Sequence, residues 1–376
     1  MRHALVLALL TGATSMAAQQ PDFLARARAL HQSTPLIDGH NDFPMALQEH
    51  NPQRDLDTLD IRLRQPKIHT DIPRLRQGGV AGQFWSVYVP ATLQGGDAVT
   101  ATLAQIDVVY RMVRRYPDTF ELATTASDVE RIFKGGRIAS LIGMEGGHSI
   151  NNSLATLRMF HEMGARYMTL THSTNIGWAD SGTDMPKLGG LSAFGEEVVR
   201  EMNRLGMLVD LSHTSPGTMQ DAIRVSEAPV IFSHSDVRAL NDHGRNVPDA
   251  VLRLLPKNGG IVMVTFVPGF LRADGKGTLS DAADHMDHVR KVAGADHVGI
   301  GGDFDGIPTV PSGLEDVSKY PALTAELLRR RWPEADIRKA LGMNVLRVMR
   351  AAEGAAARLQ KTRPPSLATI EQLDRR

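Results

Sequence analysis

His40 and Asp42, two residues apart in the stretch LIDGHNDFP (36–44), form the first pair in the chain whose types and spacing suggest chemistry. Side chains alternate with period two along a strand, so an imidazole and a carboxylate at this spacing point the same way. Two such donors make half a metal site. Similar residues close later apolar runs: Glu145 in IASLIGMEGG, His172 in ARYMTLTHST, His213 in MLVDLSHTS, His234 in PVIFSHSD, and Asp303 with Asp305 in HVGIGGDFDG. A lone buried histidine is most often a satisfied structural residue, a reading that does not extend to donors recurring at run after run. Carboxylates converging without cations would be costly to bury, and divalent ions remove that cost. The donors are imidazole and carboxylate without thiolate, a set that suits Zn2+ and tolerates Mn2+ or Co2+, and they are too many for one tetrahedral ion. The expectation is two metals bridged by a carboxylate. Ions roughly 3.5–4 Å apart can hold a bridging hydroxide, polarise a carbonyl and stabilise a tetrahedral oxyanion, which makes hydrolysis the reaction class.

The elements that must position these residues are legible in the spacing of the apolar runs. Besides the stretches already quoted, VAGQFWSVYV (80–89) and GIVMVTFVPG (260–269) are of the same kind, so that eight runs alternate with amphipathic segments such as 154–163, 194–205, 248–255 and 322–331. Repeated strand and helix units around a parallel sheet predict an α/β fold of the (β/α)8 barrel type, where the loops at the C-terminal strand ends converge on one face. A chain of 376 residues fits one such domain with insertions.

Lys plus Arg and Asp plus Glu are both 42, which removes any electrostatic case for nucleic acid or an anionic membrane as the main partner. The first residues, MRHALVLALLTGATSMAAQQ, read as an export signal over 1–17, with an apolar run at 4–10 far shorter than the roughly 20 residues needed to span a bilayer. The absence of Cys excludes a lipoprotein anchor and leaves a non-disulfide homodimer as the assembly to expect, and RPPSLATIEQLDRR near the C-terminus lacks a lipid-anchor tail. The organisation expected is a signal at 1–17, a catalytic domain at 18–353 and a polar tail at 354–376, in a periplasmic or secreted protein with no stable membrane anchor.

The phrases DGHNDFP, GMEGGHSI, YMTLTHSTNIGWADS, DLSHTS, APVIFSHSDVRAL, RNVPD and GGDFDG followed by GLEDVSKYP closely resemble the membrane (renal) dipeptidases, a branch of the metal-dependent amidohydrolases. The match runs over roughly residues 33–353 and resembles a bacterial exported member. The resemblance implies two zinc ions, one held by His40 and Asp42, the other by His213 and His234, with Glu145 bridging. It also implies that His172 contacts the substrate near the scissile carbonyl, that Arg245 binds the substrate's C-terminal carboxylate, and that Asp303 transfers a proton. A bidentate guanidinium suits a carboxylate, and a carboxyl beside the metals suits proton transfer. The substrate class implied is the dipeptide, including those with a C-terminal D-residue.

Asp38, Asp210 and Asp305 are read as loop caps or supports for ligand histidines, His148 as a support for the Glu145 loop, and His161, His243, His285, His288 and His297 as surface or structural residues. Trp178 and Asp180 could line the substrate pocket or simply pack. The rivals are another barrel amidohydrolase, such as an N-acyl amino acid deacylase or a lactonase or phosphotriesterase-like hydrolase, and an inactive peptide-binding module. Arg245 speaks against the first, since a carboxylate clamp is wasted on a neutral ester, and the completeness of the site against the second.

Overall fold

The computed structural model describes residues 22–374; the leader expected at 1–17 lies outside the described residues. Nine strands occur among the described residues: β1 (Leu36–Asn41), β2 (Val80–Tyr88), β3 (Phe120–Leu122), β4 (Ile138–Glu145), β5 (Ala165–Thr169), β6 (Leu208–Asp210), β7 (Ile231–Phe232), β8 (Ile261–Val264) and β9 (Val298–Ile300). Eight of them close a parallel ring in the order β1, β2, β4, β5, β6, β7, β8, β9, with β9 returning to β1. This is the (β/α)8 barrel that the alternation of runs predicts. The ninth, β3, pairs only with the first residues of β4, below the point where β5 joins at Ile142. Three residues are too few to display an alternating pattern, so the sequence hides it.

Alternation along β2 and β4 shows how the barrel is filled. Phe84, Ala139 and Leu141 join Ile37, Tyr167, Ile231 and Met263 inside the ring, whereas Trp85, Val87, Ile142 and Met144 face the outer helices. On the inward parity of β4, Leu141 is followed by Gly143 and then Glu145, so the interior changes from apolar to small to acidic as the mouth is approached. Gly143 is small for a reason: a Cβ there would lie 2.0 Å from Cζ of Tyr167.

The strands are shorter than the apolar runs. His40 and Glu145 lie within strands, while His172, His213, His234 and Asp303 follow β5, β6, β7 and β9 in the first residues of their loops. At the opposite end, the helix Asn344–Leu359 closes the floor by packing Val345, Leu346 and Met349 against the interior cluster. The domain boundary expected at 353 falls inside this helix. The following segment returns to the helix Ala193–Leu205, where Asp374 accepts hydrogen bonds from Phe194 N (2.9 Å) and Ser192 Oγ (2.5 Å). The helix expected over 248–255 is two short ones, Asp249–Leu252 and Leu255–Asn258. Pro256 explains the break, because its ring crowds the carbonyl four residues earlier and it has no N–H to continue the ladder.

Candidate active site

At the mouth of the barrel, Asp42, Glu145, His172, His213, His234, Arg245 and Asp303 line one cavity of about 520 Å³. His40 sits directly behind them, with no exposed surface. Its Nε2 lies 3.2 Å from Asp42 Oδ2, 3.4 Å from Glu145 Oε2 and 4.0 Å from Asp303 Oδ1. The other oxygen of Glu145, Oε1, is 2.9 Å from His213 Nε2 and 3.4 Å from His234 Nε2. Glu145 thus stands between two donor sets, one oxygen toward each. Asp42 occupies the N-terminus of the helix Phe43–His50 without capping it, which leaves its carboxylate turned to the site.

Buried partners fix which imidazole nitrogen faces inward. Tyr167 donates its hydroxyl hydrogen to the carbonyl of Gly39 (3.2 Å) and accepts from His40 Nδ1 (2.8 Å), so His40 turns Nε2 toward the site. Ser233 donates to Asp210 Oδ2 (2.6 Å) and accepts from His234 Nδ1 (2.8 Å), with the same result for His234. Asp210 is held in turn by Thr169 Oγ1 (2.5 Å) and by the backbone N–H groups of Ser212 (3.1 Å) and Ser233 (2.8 Å). Asp38 likewise takes His40 N (2.9 Å), Gly302 N (3.0 Å) and the Tyr320 hydroxyl. His213 and Asp303 both have left-handed backbones, with φ of 68° and 61°. Such conformations are uncommon outside glycine and persist where the surroundings over-determine them.

The charges are strongly coupled to burial. Burial pushes Glu145 up, but His40, His213 and His234 more than offset it and hold the carboxyl well below its usual range. His213 is held well below its ordinary value by burial and by Arg245, and His234 by burial and by His40, which keeps both imidazoles neutral, the form that binds metal. Burial raises Asp303 well above the carboxylate range, against the pull of His40 and with Asp42 and Glu145 adding to it.

Arg245 is buried, and its Nη2 donates to the carbonyl of His234 (3.2 Å) while its Nη1 has no hydrogen-bond partner. Its guanidinium lies 5.3 Å from the centre of the Phe270 ring, and no carboxylate among the described residues forms an ion pair with it. The His172 ring packs, tilted, 4.8 Å from the Tyr88 ring and 4.3 Å from the His213 ring, with Nε2 3.8 Å from Glu145 Oε1.

The residues read as supports do support. Asp305 accepts from His69 N (2.5 Å), and His148 Nε2 pairs with the carbonyl of Val89 (3.2 Å). Trp178 and Asp180 pack rather than line the cavity: both are fully buried, and Asp180 takes the N–H groups of Lys187 (3.2 Å), Leu188 (2.9 Å) and Gly189 (2.7 Å). Sequence reasoning missed Tyr167, Ser233 and Tyr88. Only Ser233, adjacent to His234, carried a local hint; Tyr167 reaches His40 across 127 residues.

The arrangement fits divalent cations. Three groups of donors, His40 with Asp42 and Glu145, Glu145 with His213 and His234, and His40 with His234 and Asp303, each lie within 4.8 Å. The buried Nε2 of His40 has no hydrogen-bond partner, as a ligand nitrogen would not.

Comparison with known proteins agrees. Residues 24–363 match the family model described as membrane dipeptidase, peptidase family M19. The chain is 46% identical over 352 residues to dipeptidase verJ of Clonostachys rogersoniana, covering 91% of this chain and 90% of that one. It is 47% identical over 339 residues to dipeptidase 3 of Mus musculus, covering 89% and 67%. A metallopeptidase of Rhodobacter sphaeroides, solved with a phosphinate mimic of the dipeptide L-Ala-D-Ala, superposes with a TM-score of 0.78 at 29% identity, covering 85% of this chain and 99% of that one.

Proposed function

The chain belongs to the membrane dipeptidase family, peptidase family M19, and is a metal-dependent dipeptidase; on that premise we propose that it works with two zinc ions bridged by Glu145. One would be held by His40 and Asp42, the other by His213 and His234. When bound, the pair would supply a nucleophilic water at neutral pH and positive charge for the developing oxyanion. The protein's own residues do the rest. Tyr167 and Ser233 hold His40 and His234 in the metal-binding tautomer. Arg245 takes the substrate's C-terminal carboxylate and so limits the substrate to one residue beyond the scissile bond. His172 orients the scissile carbonyl, and Asp303 carries a proton from the attacking water to the leaving amine.

The observation that carries this reading is the unpaired guanidinium of Arg245 beside the Glu145 donor cluster in one cavity. A buried cation without a carboxylate is unfavourable unless an anion arrives, and a dipeptide brings one. The Rhodobacter sphaeroides neighbour's ligand extends the substrate class proposed to dipeptides with a C-terminal D-residue. We also keep residues 1–17 as an export signal, 18–353 as the catalytic domain with a following tail, and export as the destination; no helix among the described residues is long and apolar enough to cross a membrane.

The test compares L-L and L-D dipeptides with the same dipeptides amidated at the C-terminus, on protein whose metal content is measured in the same sample. The expected result is two divalent ions per chain and turnover of the free acids only. Equal turnover of acids and amides would reject the clamp.

A further inference from the structure

The cavity is chemically divided. In the strand order of the ring, β2 and β7 stand four places apart and therefore face one another across the mouth. Arg245, in the loop after β7, lies with Val267 and Phe270 on one side. On the other side are Tyr88, at the end of β2, and Met45 and Glu49, from the helix Phe43–His50 that packs on β2. A dipeptide whose carboxylate is held by Arg245 and whose peptide bond lies over the Glu145 cluster must send its N-terminal residue toward this second side.

Glu49 is the charged group waiting there. It is exposed, on the last turn of its helix, and among the described residues its carboxylate makes no hydrogen bond or ion pair. Arg54, five residues on, is engaged by Gln48, to which it donates through Nε (3.1 Å) and Nη2 (2.7 Å). The field of Glu49 reaches the site, since Tyr88 is pushed up to about 12 by burial first, with Glu145, Asp42 and Glu49 adding to it. A free carboxylate on a solvated helix face would normally mean nothing, but this one lines the cavity opposite the carboxylate clamp. Opposite charges at opposite ends of a cleft fix the direction in which a charged ligand lies.

We infer that Glu49 is a specificity-determining residue that favours dipeptides with a cationic side chain on the N-terminal residue and disfavours acidic ones. The inference rests on the dipeptidase reading with Arg245 as the carboxylate clamp, and adds to it a preference at the other end of the substrate.

The experiment measures kcat/KM for Lys-Ala, Ala-Ala and Glu-Ala with the metal-loaded enzyme and its Glu49→Gln and Glu49→Lys variants. In Glu49→Gln, Lys-Ala should fall and Glu-Ala rise by roughly threefold each, as expected of a partly screened ion pair, leaving Ala-Ala unchanged. Glu49→Lys should invert the order of Lys-Ala and Glu-Ala. The parent's preference should shrink as ionic strength rises, which a merely structural role for Glu49 would not produce. An unchanged Lys-Ala to Glu-Ala ratio with normal Ala-Ala turnover overturns the inference and leaves the dipeptidase reading standing. An equal loss on all three substrates also overturns it, by showing that Glu49 meets the α-ammonium or the fold instead. A parent enzyme that turned over none of the three would remove the dipeptidase reading and this inference together.

Discussion

At the floor of the barrel, Ile37, Leu208 and Ile261 close against Val345, Leu346 and Met349 in one buried apolar cluster. At the mouth, His40 and Glu145 at strand ends and His213, His234 and Asp303 in the following loops converge as overlapping groups of donors, two of them on left-handed backbone. The floor buries apolar side chains that need no hydrogen-bond partner. The mouth leaves His40 Nε2, His213 Nδ1 and Arg245 Nη1 buried without a partner. One end of the barrel is arranged for stability and the other for ligands, which is the division expected of this fold.

The comparison can be broken at several points. The largest effect is expected from Glu145→Gln, which should lower kcat/KM roughly a thousandfold or more by removing the carboxylate shared by both donor sets, at about 1.4 kcal/mol per tenfold. In chelator-treated protein, the same variant should melt only slightly lower than the parent, through loss of a carboxyl that His40, His213 and His234 hold below its usual range. A large drop in melting temperature would show the mouth to be a stability element after all.

Leu346→Ala at the floor should show the reverse pattern, a loss of about 2–5 kcal/mol in unfolding free energy from denaturant titration. Its kcat/KM per folded molecule should match the parent, and a changed value would mean that the two ends communicate. Arg245→Ala should lower kcat/KM for dipeptides by roughly thirtyfold, near the bottom of the range for a desolvated charge-assisted contact, and have little effect on dipeptide amides. An equal loss on both would make Arg245 part of the scaffold. Tyr167→Phe removes only the hydroxyl that fixes His40, and metal affinity should weaken by about tenfold, read from competition with a chelator. Unchanged affinity would detach Tyr167 from the site.

The smallest effect concerns pH. Burial lowers His31 from its ordinary 6.5 to about 4, against the hydrogen bond to Gly78. Below about 6.5 the unfolded chain therefore takes up a proton that the folded chain refuses. Stability falls as pH drops toward 4 and returns as pH rises, by roughly 0.7 kcal/mol between pH 7 and 6 from this group. His31→Gln should flatten the melting temperature against pH over that interval; an identical slope in parent and variant would remove His31 from the account.

Much of this was legible before any coordinates. Eight short apolar runs alternating with amphipathic segments predict the strand count of the ring, and donors at the run ends mark the mouth, because strand direction alone decides where the loops of a parallel barrel gather. β3 escaped because three residues show no period, and the helix expected over 248–255 broke at Pro256. Trp178 and Asp180 could be read either way from sequence, since only their surroundings reveal that they pack.

What the sequence by itself determined, then, is local: residue type, alternation, and the chemistry available at each strand end. The tertiary structure alone decided the pairings across the ring, such as Tyr167 with His40, Gly143 with the Tyr167 ring, and Glu49 facing Arg245 from the other side of the cavity. These depend on ring closure and strand register, which bring together residues of different segments, and no periodicity within one segment carries that information.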